Sequence, residues 1–426
     1  MYNRENPLRK IKSFVPDLSF IEEPIEGLEF SYESDPTEEV LTSEGTTLNF
    51  KVANPNEVSE RFAAFLDGTY KTARMGYLSG IPVYIASISG ALLTRDDRGY
   101  LHDTGLLKNI IAILFPYKSA IDYHEMYGDS RAAKDIEEFV NVLRSIYPNT
   151  IYDHELKGDA LKKLEEIDQP TVYVIADTSY RGLDEKRRSI QINPEQIYDL
   201  GLVYRKARVR TRVLMSILEA AYLKRYRDEY GFENWVLVDG TLNYTYKFFL
   251  ANFRQDEEFR KYFKNTVGFV KTIRRRVFDR DPRRLMELFS MDENQYIISV
   301  AYKTDTEEDL LNELEEPLYE GSVKWGFVYL RFRVPRLLIG HEGRILTNKG
   351  LIKLQFIIED NDMSKEEIIK KGELIANMAC FEKYPLPSDR RRVWNEALAI
   401  EEAEKVAKAR VHNYRALEAA GVHMVF

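Results

Sequence analysis

The sequence contains a single cysteine, Cys380, among 426 residues. That excludes an intramolecular disulfide and any zinc site built from several thiolates, and it fits a reducing compartment. Histidine is also scarce. Neither His124-Glu125 nor His154-Glu155 is followed by the second histidine of a zinc-protease helix. A metal in this chain is therefore expected on oxygen ligands, which suits hard ions such as Mg2+ and Mn2+. There is no glycine-rich Walker loop, so an ATP-hydrolysing motor would have to be a separate chain. No apolar run approaches the ~20 residues of a membrane span. The opening Met1-Tyr2-Asn3-Arg4-Glu5-Asn6 lacks the apolar core of a signal peptide. The expectation is a cytoplasmic protein with no membrane segment.

What the chain has in quantity is apolar residues, 44% of the total with 12% aromatic, enough for a large core in two domains or in one with substantial insertions. The formal net charge is -8, but the local field depends on distribution rather than on the sum. Arg205, Lys206, Arg208, Arg210 and Arg212 occur without an intervening acid. Lys271, Arg274, Arg275, Arg276, Arg280, Arg283 and Arg284 are set against only Asp279 and Asp281. One such cluster alone is most simply a solvated helix face. Two of them, flanking acidic motifs, point to a polyanionic partner.

Two apolar runs lead into the same tripeptide. Phe62-Ala63-Ala64-Phe65-Leu66 precedes Asp67-Gly68-Thr69, and Trp235-Val236-Leu237-Val238 precedes Asp239-Gly240-Thr241. Each predicts a buried strand ending in an acid. Residues 81–89 and 106–115 predict two further strands, which puts the first acid at the start of a mixed sheet. Residues 1–58, acidic and rich in turn formers, read as an N-terminal arm or small hairpin. Helices are predicted over 130–146 and 157–167, and a strand over 171–179 that contains Asp177, a decoy or an auxiliary acid.

From 204 to 230 the chain has neither proline nor glycine and predicts one long helix. Arg212, Met215, Glu219, Tyr222 and Tyr226 share a face of it, since steps of three and four return to the same side. Glu219 stands among apolar neighbours, where a carboxylate is costly to bury without a cation or hydrogen bonds. A helix over 243–262, strands over 266–271, 296–302, 323–333 and 351–358, and helices over 364–380 and 389–418 complete the pattern. Trp325, Phe327 and Tyr329 alternate along one strand. Such a row can stack bases, although aromatics at that spacing are more often core.

Phosphodiester hydrolysis by two divalent ions needs carboxylates converging on ions ~4 Å apart. Asp67, Glu219 and Asp239 are the candidate set, with Gly68 and Gly240 allowing tight backbone beside them. Taken singly, each Asp-Gly-Thr is an ordinary turn.

Taken in order, and followed by Val267-Gly268-Phe269-Val270-Lys271 and the loop Tyr384-Pro385-Leu386-Pro387, these motifs resemble the NurA family of nucleases. The resemblance spans about 61–93 and 205–400, with 94–204 as an expanded insertion in a domain over 59–426. It implies an α/β fold, a ribonuclease H-like mixed sheet flanked by helices. It also implies a metal-dependent DNA nuclease, exonuclease or single-strand endonuclease, using Mn2+ (or Mg2+). Such a protein would act with a hexameric HerA-like ATPase, as a homodimer, in DNA end processing or in defence against foreign DNA.

On this resemblance Asp67, Glu219 and Asp239 correspond to ion ligands, Lys271 faces the phosphate, and Tyr384 is the loop tyrosine. Arg205, Arg208, Arg212, Arg274, Arg275 and Arg276 would guide DNA through its backbone. One position departs from the family. The histidine expected some eight residues after the tyrosine is Arg392, or Asn395 if Trp394-Asn395-Glu396-Ala397 is aligned instead. That departure motivates the alternative of a catalytically weak or inactive nuclease-fold subunit that binds DNA or docks a motor ATPase.

Overall fold

A computed structural model of the chain describes residues 38–44, 47–58, 60–105, 109–147, 150–153, 170–180, 190–242, 261–271, 282–301, 324–333, 350–358, 363–383 and 397–411. In chain order the strands are β1 (Glu38–Val40), β2 (Ser43–Glu44), β3 (Thr47–Leu48), β4 (Lys51–Val52), β5 (Phe62–Leu78), β6 (Ile81–Arg95), β7 (Leu101–Asp103) and β8 (Asn109–Phe115). Helices α1 (Tyr117–Met126) and α2 (Ser130–Ile146) follow, then β9 (Ile151–Tyr152) and β10 (Thr171–Asp177). The second half holds α3 (Leu200–Tyr230), β11 (Trp235–Asp239), β12 (Thr266–Val270), α4 (Pro282–Phe289), β13 (Gln295–Ala301), β14 (Lys324–Arg331), β15 (Leu351–Ile358), α5 (Lys365–Phe381) and α6 (Leu398–Arg410).

The centre of the sheet has the order β8-β6-β5-β11-β12. The first three strands in sequence, β5, β6 and β8, are antiparallel neighbours. The chain then crosses through α3 and returns as β11, parallel to β5, and β12, parallel to β11. Three antiparallel strands, a crossover helix and two parallel strands beyond the first strand are the ribonuclease H-like arrangement expected from the sequence. Both flanks extend it. β10 runs parallel to β8 on one side; on the other, β15, β14 and β13 continue antiparallel from β12, and β1 and β4 pair with β13. β1 and β4 thus line one sheet edge, β2 and β3 pair with each other in a separate small sheet, and the stretch 94–204 supplies the third central strand, β8, as well as β10. β6 and β15 bury residues on both faces, as strands covered by helices on each side must.

The first Asp-Gly-Thr does not end its strand. β5 continues through Asp67 to Leu78, because Ser79 (φ 49) and Gly80 (φ 79) form a two-residue left-handed turn that sends the chain straight back as β6. Asp67 lies in mid-strand, opposite Ala91. α3 starts at Leu200, earlier than its polar pattern predicts, with Asp199 as its cap accepting from the Leu202 amide at 2.9 Å. At its far end Arg227 is completely buried. It donates to the carbonyls of Asn234 (2.6 Å), Lys264 (2.6 Å) and Tyr262 (3.3 Å) and to Thr266 Oγ1 (2.9 Å), tying the helix to the starts of β11 and β12.

Trp325, Phe327, Tyr329 and Arg331 of β14 are all buried, so the aromatic row is core and not a platform for bases. The Lys353 ammonium on β15 lies 3.8 Å from the Phe327 ring. α1 had no counterpart in the sequence pattern. The predicted helix over 157–167 and most of that over 243–262 lie outside the described residues, and α6 accounts for 398–410 of the final predicted helix.

Candidate acidic site

The register of β11 on β5 pairs Val238 with Leu66, which brings Asp239 beside Asp67 one residue further along. The two carboxyl groups hydrogen-bond to each other. Burial, and then the charges of Asp239 and Glu219, push Asp67 well above the carboxylate range, with the Lys271 ammonium opposing them. Asp239 is raised as well, by burial, while Lys271 and the hydrogen bond from Asp67 hold it down.

Glu219 arrives from α3. A Cβ on Gly68 would run into its Oε1 and stand 3.0 Å from its Cδ, so the helix approaches this closely only over a glycine. Gly90 on β6, paired with Gly68, does the same for Tyr222 one turn along α3. The two glycines make a trough across β5 and β6 in which α3 lies. The packing continues along the helix: Arg212 Nε donates to the Tyr70 hydroxyl at 3.0 Å, and the Thr72 and Thr211 hydroxyls are 3.4 Å apart. Gly68, Tyr70 and Thr72 share the face toward α3, so strand alternation turns the Asp67 side chain to the other face.

The turn after β11 is pinned from two neighbouring strands. Gly240 (φ 86) donates its amide to the Phe269 carbonyl at 2.9 Å. Gln355 Oε1 on β15 accepts from Thr241 Oγ1 at 2.7 Å and from the Leu242 amide at 3.1 Å. Gly268 has a specific reason to be glycine, since a Cβ there would lie 2.8 Å from the Gly240 carbonyl oxygen.

Lys271, one residue beyond β12, places its ammonium 3.1 Å from Asp239 Oδ2 and 3.6 Å from Glu404 Oε2. Burial works against its charge, but Asp239, Glu404 and Asp67 outweigh it and raise its pKa. Glu404 is the residue that sequence reasoning missed. It lies on α6 beside the stripe of Ile400, Ala403 and Ala407 that packs inward, and it also pairs with Lys408. The signal was present but diluted: Glu401, Glu402 and Glu404 follow closely, and salt-bridged glutamates are ordinary on a helix surface.

Carboxylates from β5, β11 and α6 therefore surround one ammonium, while Glu219 of α3, on the other face of β5, acts on Asp67 through its charge. The donor chemistry of the cluster suits a hard divalent ion, but its present arrangement does not fit one. Among the described residues, no three His, Cys, Asp or Glu side chains converge closely enough to hold an ion. Lys271 occupies the gap between Asp239 and Glu404.

The chain is similar to NurA. A solved structure described as "Crystal structure of NurA" aligns with 87% of this chain and 89% of its own, at 9% sequence identity and a TM-score of 0.30. No protein-family model matches the chain, and no curated protein matches it. At that identity and score the likeness to NurA transfers nothing about activity. The residue that α6 brings to the acids is Glu404. Tyr384, Arg392 and Asn395 lie outside the described residues, as do Arg274, Arg275 and Arg276.

Of the remaining basic candidates, Arg205 is exposed and Arg208 and Arg212 are half-buried. Arg205, Arg208, Arg212, Met215 and Glu219 follow each other at steps of three and four, one stripe about 21 Å long by the helical rise. Arg210 belongs elsewhere. It is buried, 3.3 Å from Asp153 Oδ2, and donates to the carbonyls of Tyr180 (2.7 Å) and Asp177 (3.3 Å). Asp177 is three strands from β5, about 14 Å at ordinary strand spacing. There it accepts from the amides of Ser179 (2.9 Å) and Lys118 (3.3 Å) and caps α1. It is not part of the acidic cluster.

Proposed function

We propose that this chain is a nuclease-fold subunit that binds DNA and that, with its acids arranged around Lys271, is catalytically weak. One observation carries the reading: the Lys271 ammonium lies between Asp239 and Glu404, in a cluster where no three of the described acids converge on an ion position. DNA binding is supported by the stripe of Arg205, Arg208 and Arg212 that leads along α3 to Glu219. Interactions of that kind go to the phosphate backbone, independent of sequence and sensitive to salt. Arg283 and Arg284, the end of the second basic cluster, lie on α4. Docking to a HerA-like hexameric ATPase, as a homodimer in the cytoplasm, is part of the same reading.

A second reading is favoured by the number of carboxylates that meet. Three acids from three separate elements gather at Lys271, and burial followed by the charges of Asp239 and Glu219 raises the pKa of Asp67, which is more than packing requires. In that reading the chain is a metal-dependent DNA nuclease of the two-ion type, with Asp67, Glu219 and Asp239 as ligands for Mn2+ or Mg2+ and Lys271 and Tyr384 beside them. It would act in DNA end processing or in defence against foreign DNA.

One set of assays separates the two. Binding of labelled single- and double-stranded DNA is measured in EDTA, and digestion of plasmid and single-stranded DNA in Mn2+, for wild type, Asp67→Ala and Asp239→Ala, with and without a HerA-like ATPase. Salt-dependent binding with little cleavage in every protein supports the weak subunit. Cleavage by wild type that both variants lose supports the nuclease. Failure to bind any DNA at low salt removes both.

A further inference from the structure

Buried carboxylates need a counter-charge or hydrogen bonds, and leaving one unpaired is costly. In this cluster the hydrogen bond between Asp67 and Asp239 meets part of that need. A further part falls to Lys271, whose ammonium spans Asp239 on β11 and Glu404 on α6, two elements that no backbone ladder joins, with Lys408 also paired to Glu404. We infer that Lys271 is the resident cation of the acidic cluster, a positioning residue that fastens α6 to β11 and excludes a divalent ion from the Asp239–Glu404 gap until its side chain withdraws.

The physical basis is competition for the same oxygens. An ammonium 3.1 Å from Asp239 Oδ2 and 3.6 Å from Glu404 Oε2 stands where an ion shared by those groups would stand. Two cations cannot share that space, because their repulsion at a few ångströms in a partly buried site is large. The lysine is able to leave. It lies one residue outside the β12 ladder, and four methylenes separate its charge from the backbone. The arrangement thus explains why acids of the right chemistry stand in an array that holds no ion position. Only the identity of the competing ion rests on the reading of the chain as a two-ion nuclease.

The test uses the full chain with Lys271→Gln, which removes the charge, and Lys271→Arg, which keeps it. Mn2+ affinity is measured by titration calorimetry, and the thermal midpoint is compared in Mn2+ and in EDTA. Lys271→Gln is expected to bind Mn2+ at least tenfold more tightly than wild type and to gain more thermal stability from it, while Lys271→Arg behaves as wild type does. Equal or weaker Mn2+ binding by Lys271→Gln overturns the inference. Should Lys271→Gln fail to fold in EDTA, recovery of its far-ultraviolet circular dichroism on adding Mn2+ is the expected result, and no recovery overturns it. DNA binding in EDTA by the same proteins keeps the two proposals apart. Its loss in wild type removes the proposed function whatever the Mn2+ result, and intact DNA binding with unchanged Mn2+ affinity removes only the role of Lys271.

Discussion

Glu219 lies directly against Gly68, its carboxylate filling the space in which any other residue at that position would carry a Cβ. The strand and the helix are coupled at the acid itself. Gly68→Ala is therefore expected to push Glu219 or all of α3 outward and to cost about 1–3 kcal/mol, the usual penalty for overpacking a tight interface. Urea unfolding measures it. A variant as stable as wild type would show that the glutamate swings aside freely and that the trough does not set its position.

Arg227 offers a sharper stability test. It is buried and bonded to three carbonyls and a hydroxyl at the junction of α3, β11 and β12. Arg227→Met keeps much of the volume but strands those acceptors, so a loss of about 3 kcal/mol or more is expected. A loss below about 1 kcal/mol would mean that water replaces the guanidinium, and the junction would then not depend on it.

Asp177 should give the fold a measurable pH dependence. Burial raises its pKa from 3.8 to about 6, against hydrogen bonds from Ser179, with Asp153 adding to the rise and Arg210 opposing it. The folded state then holds this proton more tightly than the unfolded chain does. The resulting stabilisation is complete below the unfolded value and is lost as pH rises through about 6. Between about pH 7 and about pH 4, wild type should gain up to about 3 kcal/mol relative to Asp177→Asn. Parallel stability curves for the two proteins would contradict the assignment. The difference between them is the quantity to read, because Asp67 and Asp239 are raised too and remain in both.

For DNA, the double variant Arg205→Ala, Arg208→Ala is expected to weaken binding without regard to sequence. The slope of log affinity against log salt should fall by about 1.4 to 1.8, since each phosphate that an arginine no longer neutralises keeps close to one counterion. Binding titrations at several salt concentrations give the slope directly. An unchanged slope would move the DNA path away from this face of α3. Arg212 is left out of the variant because its bond to Tyr70 gives it a structural role as well.

Much of this architecture could be read from local pattern. Runs such as Trp235 to Val238 and Thr266 to Val270 are strands because their neighbours in sequence are apolar and β-branched, and α3 is a helix because nothing between 204 and 230 interrupts it. Asp67, Glu219 and Asp239 stood out as candidates because each lies beside a glycine or an apolar face where a carboxylate is out of place, and the register sets Asp67 beside Asp239 with Glu219 on the other face of β5. The same local reasoning failed at Gly68. Asp-Gly-Thr is a turn signal in isolation, but strand pairing to β6 on one side and β11 on the other carries β5 straight through it. It left open whether the β14 aromatics face DNA or the core, because period alone does not say which face is covered. Glu404 and the bridge it makes through Lys271 were out of reach for the same reason. Propensity and periodicity act over a few residues, whereas a charge cluster depends on register and packing between segments distant in sequence, and those are decided only when the sheet closes and burial makes each unpaired carboxylate expensive.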